Sequence, residues 1–256
     1  MARIAHYECT ALRGTNKKGV IKPDADGAYT VVLGALGVFN SGGAFYPEEY
    51  AKRHFEENAP LMRKMRTGRL RGECGHPKRQ PGMTDKEYFQ RGAAIYEQCE
   101  MFTITQIWLE TGSVKDEKGR PVLLIMGKII PSGPFGPALK EKLENGLEDV
   151  CFSIRCFTDD VMVGGVLEKR MRVIVTWDYV NEPGLAEACK YRSPTMECFV
   201  GDELVVTEDL VAKVKMEAQH AGVAMESDQQ FATEILNAFG WTPTSTIPAS
   251  AKWGKR

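Results

Sequence analysis

The pattern of apolar and polar positions predicts alternating strands and helices along most of the chain. Apolar runs rich in β-branched residues and bounded by glycine, proline or asparagine predict strands. The glycine-punctuated segment 68–77 predicts a short strand that ends in a tight corner. Apolar residues at helical spacing predict helices near Pro47 and Pro137, and capping-box spacing at Thr84 predicts a third helix. The other predicted strands cover residues 28–39, 100–112, 121–130, 150–157 and 171–180.

The order of these elements indicates the fold class. Strands and helices are mixed without regular βαβ alternation, which favours an α+β fold, and a closed barrel with helices packed outside fits the pattern. After about residue 205 the pattern changes, because residues 207–221 and 228–239 predict two helices and few core-forming residues follow them. We therefore predict one domain over residues 1–205 and a C-terminal helical appendage over residues 206–256.

Charge and cysteine content narrow the class of protein. The 33 basic and 34 acidic residues almost cancel, so no electrostatic feature predicts binding to nucleic acid or to an anionic membrane surface. The longest apolar run, 28–39, is too short to cross a bilayer, and the N-terminus lacks the apolar core of a secretory signal. Seven cysteines without paired spacing favour free thiols in a reducing compartment. We expect a soluble cytosolic protein with no membrane partner.

One strand places a hydroxyl beside a guanidinium. Successive side chains of a strand point to opposite faces, so residues 150, 152, 154 and 156 form an apolar face while Ser153 and Arg155 share the other. Ser153 is therefore a candidate nucleophile, with an ordinary strand residue as the alternative. Arg155 can order the region of a developing oxyanion, or it can form a salt bridge with Asp159 or Asp160.

Two further residues suggest acid–base chemistry. His76 lies at a strand end between a glycine and a proline, where a side chain can be held at the edge of a cleft, although a structural turn explains these neighbours equally well. Asp178 interrupts an apolar strand and needs a partner if buried; it can cap the following turn or orient an imidazole. His54 lies among charged residues, and we expect it at the surface or its boundary.

Other chemistries are less well supported by the sequence. Cys74 and His76 are two residues apart, but no second Cys/His pair follows at the spacing of a zinc site, so we expect no metal. Cys74 or Cys151 can act as a thiolate nucleophile, which leaves a cysteine-dependent hydrolase as an alternative. The glycines form no phosphate-binding or dinucleotide fingerprint, and we expect no cofactor.

Three separated segments together resemble the prohead (maturation) proteases of tailed bacteriophages, serine proteases related to the herpesvirus assemblins. Residues 68–77 resemble the family's Gly-x-Leu-x-Gly-Glu-x-x-His-Pro segment, and 146–155 resemble a segment in which a glycine ends a helix and Ser-x-Arg follows. Residues 176–183 resemble Thr-aromatic-Asp-x-Val-x-x-Pro. The resemblance implies a mostly antiparallel closed β-barrel with surrounding helices and a triad of Ser153, His76 and Asp178.

The same resemblance implies a biological setting. Such proteases process scaffold or core proteins and the major capsid protein inside an assembling prohead in the host cytoplasm, and many cut after glutamate. A homo-oligomer is compatible with this setting. We predict self-cleavage between Glu226 and Ser227, in the connection between the two C-terminal helices, which would release the appendage. The alternative is a catalytically inactive structural component of the prohead core.

Overall fold

The computed structural model describes residues 4–10, 20–40, 43–115, 121–181, 204–221 and 226–241. These residues form ten strands, six α-helices and two short 3₁₀ helices, at Arg53–Phe55 and Glu97–Cys99. The strands are β1 (Ile4–Thr10), β2 (Tyr29–Leu36), β3 (Val38–Phe39), β4 (Phe45–Tyr46), β5 (Arg71–Glu73), β6 (Glu100–Lys115), β7 (Pro121–Pro131), β8 (Cys151–Val163), β9 (Val166–Val180) and β10 (Leu204–Thr207). The α-helices are α1 (Glu48–Lys52), α2 (Pro60–Arg66), α3 (Asp85–Ala93), α4 (Gly136–Glu144), α5 (Glu208–Ala221) and α6 (Glu226–Ala238).

The strands form two sheets. The larger has the order β10-β1-β8-β9-β4-β3, and the smaller has the order β2-β7-β6-β5. All pairings are antiparallel except that of β4 with β9. Strands β8 and β9 form a long hairpin whose turn contains Gly164 and Gly165. Both strands continue toward this turn well beyond the predicted strands 150–157 and 171–180. The predicted α+β class is therefore confirmed.

The predicted closed barrel is wrong for the part of the chain that the structure describes. The two sheets are joined by a bridge between Cys74 and Tyr179. In the described part of the chain, β2, the far edge of the smaller sheet, pairs only with β7. Both sheets contribute to the main apolar core, and within the described ranges no hydrogen-bond ladder joins β2 to the larger sheet. The core residues include Leu33, Ile104, Ile129, Phe152, Ile154 and Trp177.

Local signals place several elements correctly. Thr84 and Glu87 form the predicted capping box at the start of α3, with hydrogen bonds in both directions. The predicted strand 28–39 divides at Gly37, whose φ of 70° lies in the left-handed region that favours glycine. Both features depend on hydrogen bonds or backbone angles of residues that are close in the sequence, which is why the sequence indicates them.

The two C-terminal helices pack on the outer face of the larger sheet. α5 and α6 contribute to a second apolar core together with α3 and strands β8 and β9. Strand β10, which precedes α5, pairs with β1, so the chain enters the sheet at the predicted domain boundary. None of the described helices is long and apolar enough to span a membrane. The core residues from these elements include Phe89, Phe157, Val211, Phe231, Ile235 and Leu236.

His54 departs from the expected surface position. It belongs to the 3₁₀ helix Arg53–Phe55, is only 9% exposed, and has Nε2 at 3.4 Å from the carbonyl oxygen of Met171. Burial disfavours the charged imidazolium and lowers the pKa of His54 from 6.5 to about 4. The histidine is therefore held neutral inside the fold.

This burial predicts an acid-dependent loss of stability. Because the folded-state pKa lies below the unfolded value, the unfolded chain takes up the proton first. The contribution of neutral His54 to the free energy of unfolding is fully present above about pH 6.5. It is lost as the pH falls toward 4, by about 3 kcal/mol in total. Urea unfolding between pH 7.5 and 4.5 should show His54→Gln losing less stability than the wild type on acidification. Parallel curves for the two proteins would contradict the assignment.

Candidate active site

The β8–β9 pairing places Ser153 directly opposite Asp178. The two residues are register partners in the antiparallel ladder, and Arg155 lies opposite Thr176 one step away on the same face. Directly opposite residues point to the same side of a sheet, so the serine hydroxyl and the carboxylate are neighbours. Ser153 is 2% exposed and Asp178 is fully buried. The strand alternation thus produces a buried polar patch within an apolar sheet.

The segment after β5 brings His76 to the same patch. Gly75 donates its backbone N–H to the carbonyl oxygen of Tyr179 at 2.8 Å and adopts a φ of 84°, which favours glycine. Gly72 lies so close to β9 that a Cβ atom there would be 2.3 Å from the carbonyl oxygen of Trp177. Both glycines therefore allow the chain to approach β9, and His76 Nδ1 lies 2.9 Å from Asp178 Oδ2.

The electrostatics of Asp178 fix the proton positions of this pair. Burial by itself raises the pKa of Asp178, but the positive charge of Arg155 and the hydrogen bond with His76 outweigh it, so the pKa lies below its ordinary value. An ionised carboxylate can only accept, so His76 Nδ1–H is the donor. In the neutral ring this leaves the lone pair on Nε2, the atom that can take up a proton.

Arg155 binds both carboxylate oxygens of Asp178. Its Nε donates to Oδ2 at 2.9 Å and its Nη2 donates to Oδ1 at 2.7 Å, while Nη2 also reaches Glu73 Oε2 at 2.9 Å. Nη1 donates to the carbonyl oxygens of Ala94, at 2.8 Å, and Gly92, at 3.4 Å. These five bonds match the five N–H groups of a guanidinium. Arg155 therefore orders the site through Asp178.

The expected alternative partners of Arg155 are engaged elsewhere. Asp159 forms an ion pair with Arg172 at 2.9 Å, and Asp160 pairs with Lys169 at 3.1 Å. Both carboxylates lie further along the β8–β9 hairpin, toward its turn. The salt bridge from Arg155 to Asp159 or Asp160 that the sequence left open is replaced by the pairing with Asp178 and Glu73.

Two charged residues of this network were not identified from the sequence. Glu73, fully buried at the end of β5, accepts hydrogen bonds from Arg91 of α3 at 3.0 and 2.6 Å. It also accepts one from the backbone N–H of Tyr96, whose ring lies 3.9 Å from the Arg91 guanidinium carbon. Glu73 could have been found from its position in segment 68–77, three residues before His76. The sequence contains no comparable signal for Arg91, which looks like any basic residue on the polar face of a helix.

The cysteines give less support to a thiolate nucleophile. Cys74 is exposed, but desolvation by the surrounding protein, followed by the nearby Cys99, raises its pKa, which disfavours the thiolate. Cys151 is buried. Within the described ranges, no group of three or more His, Cys, Asp or Glu side chains is arranged to hold a metal ion.

An open cavity of about 610 Å³ lies beside the charged network. It shares Ala94 and Tyr96 with the network, and its other walls come from the loop after His76, from α3 and from the start of α6. The described residues that line it include two carboxylates and no basic side chain, so it is a poor match for a glutamate side chain. The lining residues are Gln80, Pro81, Gly82, Met83, Glu87, Gln90, Ala94, Tyr96 and Asp228.

The proposed cleavage position lies apart from these strands. Glu226 is the first residue of α6, and Ser227 is exposed. Residues 222–225 of the predicted connection lie outside the described residues. The structure thus brings His76, Asp178 and Arg155 into direct contact and places Ser153 opposite Asp178, while Glu226 and Ser227 belong to the outer helical layer.

A histidine paired with a buried carboxylate that itself lies opposite a serine in the sheet is an arrangement typical of sites that activate a hydroxyl group. Residues 7–236 match the Peptidase S80 family, and the chain belongs to this family of proteases. The capsid maturation protease of Pseudomonas phage phiKZ is 36% identical over 236 residues, which cover 90% of this chain and 86% of that protein. The resemblance to phage maturation proteases is confirmed.

A solved structure is also similar. The bacteriophage T4 capsid assembly protease, gp21, is 17% identical, with a TM-score of 0.43 over 70% of this chain and 98% of that chain.

The buried charges predict a large effect of removing Arg155. Arg155→Leu leaves Asp178 and Glu73 buried with one cation fewer, which should lower the free energy of unfolding by about 3–5 kcal/mol at pH 7.5. The loss should shrink at acidic pH as Asp178 takes up a proton. The control Arg170→Leu removes a partly exposed pair with Glu168 and should cost less than about 1 kcal/mol. Equal losses in urea unfolding would contradict the network.

Proposed function

We propose that the chain is a serine endopeptidase that processes scaffold or core proteins and the major capsid protein during phage prohead maturation. The observation that carries this proposal is the 2.9 Å contact between His76 Nδ1 and Asp178 Oδ2, with Ser153 opposite Asp178 on the neighbouring strand. Membership of the Peptidase S80 family and the similarity to a capsid maturation protease support the reaction class and the setting. The protein would act inside the assembling prohead, in the host cytoplasm.

The mechanism assigns one proton-transfer path to these residues. His76 Nε2 takes the proton of the Ser153 hydroxyl as Oγ attacks the peptide carbonyl carbon, and the resulting imidazolium then donates that proton to the leaving amine. The C–N bond breaks and an acyl-enzyme ester remains on Ser153. His76 Nε2 then takes a proton from water as the water oxygen attacks the ester carbonyl. The bond between the acyl carbon and Ser153 Oγ breaks, the acid product leaves, and His76 returns the proton to Oγ.

Asp178 and Arg155 have supporting roles in this mechanism. Asp178 holds the His76 ring with its proton on Nδ1 and stabilises the imidazolium. Arg155 fixes Asp178 by two hydrogen bonds, at 2.9 and 2.7 Å. Because its five N–H groups are all engaged, we assign it to support rather than to direct donation to the oxyanion.

Cleavage after glutamate is the specificity that we propose from the resemblance to the phage maturation proteases. Among the described residues that line the open cavity beside the network, none carries the positive charge that such a side chain would require. We therefore propose that a glutamate preceding the scissile bond binds outside this cavity.

Replacement of the nucleophile tests the enzyme class. Ser153→Ala should lower peptide-bond hydrolysis by about 10⁴- to 10⁶-fold and leave the thermal unfolding transition nearly unchanged. A fluorophosphonate probe should label the wild type at Ser153, as located by peptide mass spectrometry, and should not label the variant. The matched control Cys74→Ala should retain labelling. A folded wild type that stays unlabelled would favour the inactive core component instead.

Self-cleavage after Glu226 is a second testable part of the proposal. Glu226 is the first residue of α6, and a helix end frays more readily than its middle, so the peptide bond can be presented in extended form. Intact-mass measurement of the wild type should give a chain that ends at Glu226. Ser153→Ala and Glu226→Gln should both keep the full-length C-terminus. Identical C-termini in wild type and Ser153→Ala would reject self-cleavage at this position.

A further inference from the structure

A second buried carboxylate lies behind the His76–Asp178 pair. Glu73 accepts from Arg155 Nη2 at 2.9 Å, the same nitrogen that donates to Asp178 Oδ1, and contacts Arg91 through both carboxylate oxygens, at 3.0 and 2.6 Å. Four charged side chains therefore follow one another in alternating sign, from Asp178 through Arg155 and Glu73 to Arg91. The serine mechanism above uses only the first two of these charges.

The burial of this row makes its charge balance important. The side chains of Asp178, Arg155 and Glu73 are 0% exposed, and that of Arg91 is 11% exposed. Two negative and two positive charges cancel, so the row as a whole is neutral. Charges shielded from water interact strongly over several ångströms, so removal of one member changes the field at the others and at His76.

We propose that Glu73 and Arg91 are positioning residues of the active site, which fix Arg155 and set the charge balance that Asp178 and His76 experience. This inference rests on the proposed serine mechanism. Glu73 would act through Arg155, because Nη2 donates to both carboxylates and a bond to Glu73 therefore fixes the orientation of the guanidinium that binds Asp178. Arg91 would act one step further away, by neutralising Glu73.

The other charged and titratable groups near the histidine segment are arranged separately. Lys142 of α4 interacts electrostatically with Cys74 and Tyr179, while Cys74 is coupled to Cys99, and Tyr179 to Cys151 and Glu148. Lys78 and Arg79 follow His76 in the chain, and Arg79 pairs with Asp85 at 2.5 Å. Substitutions at Glu73 or Arg91 leave the charges of these groups in place, so we assign opposite shifts in the two single variants to the row.

The test uses the full-length protein and the pH dependence of Ser153 labelling by a fluorophosphonate. In this reaction Ser153 Oγ bonds to phosphorus, fluoride leaves, and His76 takes the serine proton. The second-order labelling rate therefore falls at acidic pH, where the imidazole is already protonated. The variants are Glu73→Gln, Arg91→Gln and the double variant. Glu73→Gln is nearly isosteric and removes the negative charge, whereas Arg91→Gln is shorter and removes the positive charge together with the two donors to Glu73. The readout requires no knowledge of the natural cleavage sequence.

We call the fall of the labelling rate at acidic pH the acidic limb. The two single variants should shift the pH of this limb in opposite directions. Glu73→Gln removes a negative charge, disfavours the imidazolium and moves the limb to lower pH by about one pH unit. Arg91→Gln removes a positive charge and moves the limb to higher pH. In the double variant the row has no net charge, as in the wild type, so its acidic limb should lie close to that of the wild type. Both single variants should also label about 10- to 100-fold more slowly, as expected for residues that orient a catalytic group.

Glu100→Gln is the matched control. Glu100 is the register partner of Glu73 on β6, is 6% exposed, and forms its own ion pair with Arg71 at 2.7 Å. It undergoes the same chemical change at a similar depth, but its ion-pair and hydrogen-bond partners, Arg71 and Ser132, lie outside the row. Its acidic limb should coincide with that of the wild type. A merely structural role for Glu73 would slow labelling and lower stability without a directional shift of the limb.

The outcomes separate this inference from the proposed function. Labelling of the wild type at Ser153, with unshifted limbs in both single variants or with shifts of the same sign, would overturn the positioning role alone. Absence of wild-type labelling would overturn the serine mechanism, and this inference with it. If Glu73→Gln does not fold, Arg91→Gln decides the question, because an unchanged acidic limb in that variant also overturns the proposal.

Discussion

The contact between Asp178 and Arg155 is the interaction on which the rest of the site depends. Both side chains are fully buried, and removing two such charges from water costs several kcal/mol that their attraction does not reliably recover. The cost is offset here only because every charged atom has partners: His76 and the Glu73 backbone N–H for Asp178, and a second carboxylate and two carbonyls for Arg155. An apolar pair of similar volume would serve the core at least as well. The network is therefore better explained by what it holds in place, the ring of His76, than by stability.

Strand β9 brings the parts of this network together. It carries Asp178, pairs with β8 so that Ser153 lies opposite, and receives the segment before His76 through the Gly75–Tyr179 hydrogen bond. Side-chain direction in a sheet has a period of two, so a shift of the β8–β9 register by one residue would place Ser153 and Asp178 on opposite faces. The β8–β9 ladder continues from this site to the hairpin turn, with register shifts after Arg155 and after Phe157, and its pairs from Cys151–Val180 to Arg155–Thr176 hold the register at the site. The placement of Ser153 opposite Asp178 is thus a consequence of extensive backbone pairing.

The sequence predicted the parts of the site that follow from local rules. Strand alternation placed Ser153 and Arg155 on one face, and a carboxylate in an apolar strand indicated that Asp178 required a partner. Arg91 was not predicted, because its partner Glu73 is 18 residues away and only the packing of α3 brings them together. The barrel was wrongly predicted to close because apolar patterns determine which face of a strand is buried but not which edges pair. The expected position of His54 was wrong because its sequence neighbours are charged, whereas its own ring packs inward against the Met171 carbonyl, which is 117 residues away in the chain.

Helix α3 connects the site to the C-terminal helices. It carries Arg91, which donates to Glu73, and it is followed by Ala94, whose carbonyl oxygen accepts from Arg155. Its Phe89 belongs to the second apolar core. Phe231 of α6 packs 5.7 Å from the Phe89 ring, and Gln90 donates to Asp228 at 2.6 Å. A cut after Glu226 would break one peptide bond but none of these contacts, because they all lie C-terminal to it on α6. Dissociation of α6 would then expose an apolar surface on α3 and the larger sheet, so the energetic barrier to losing the helix lies in this packing rather than in the chain connection.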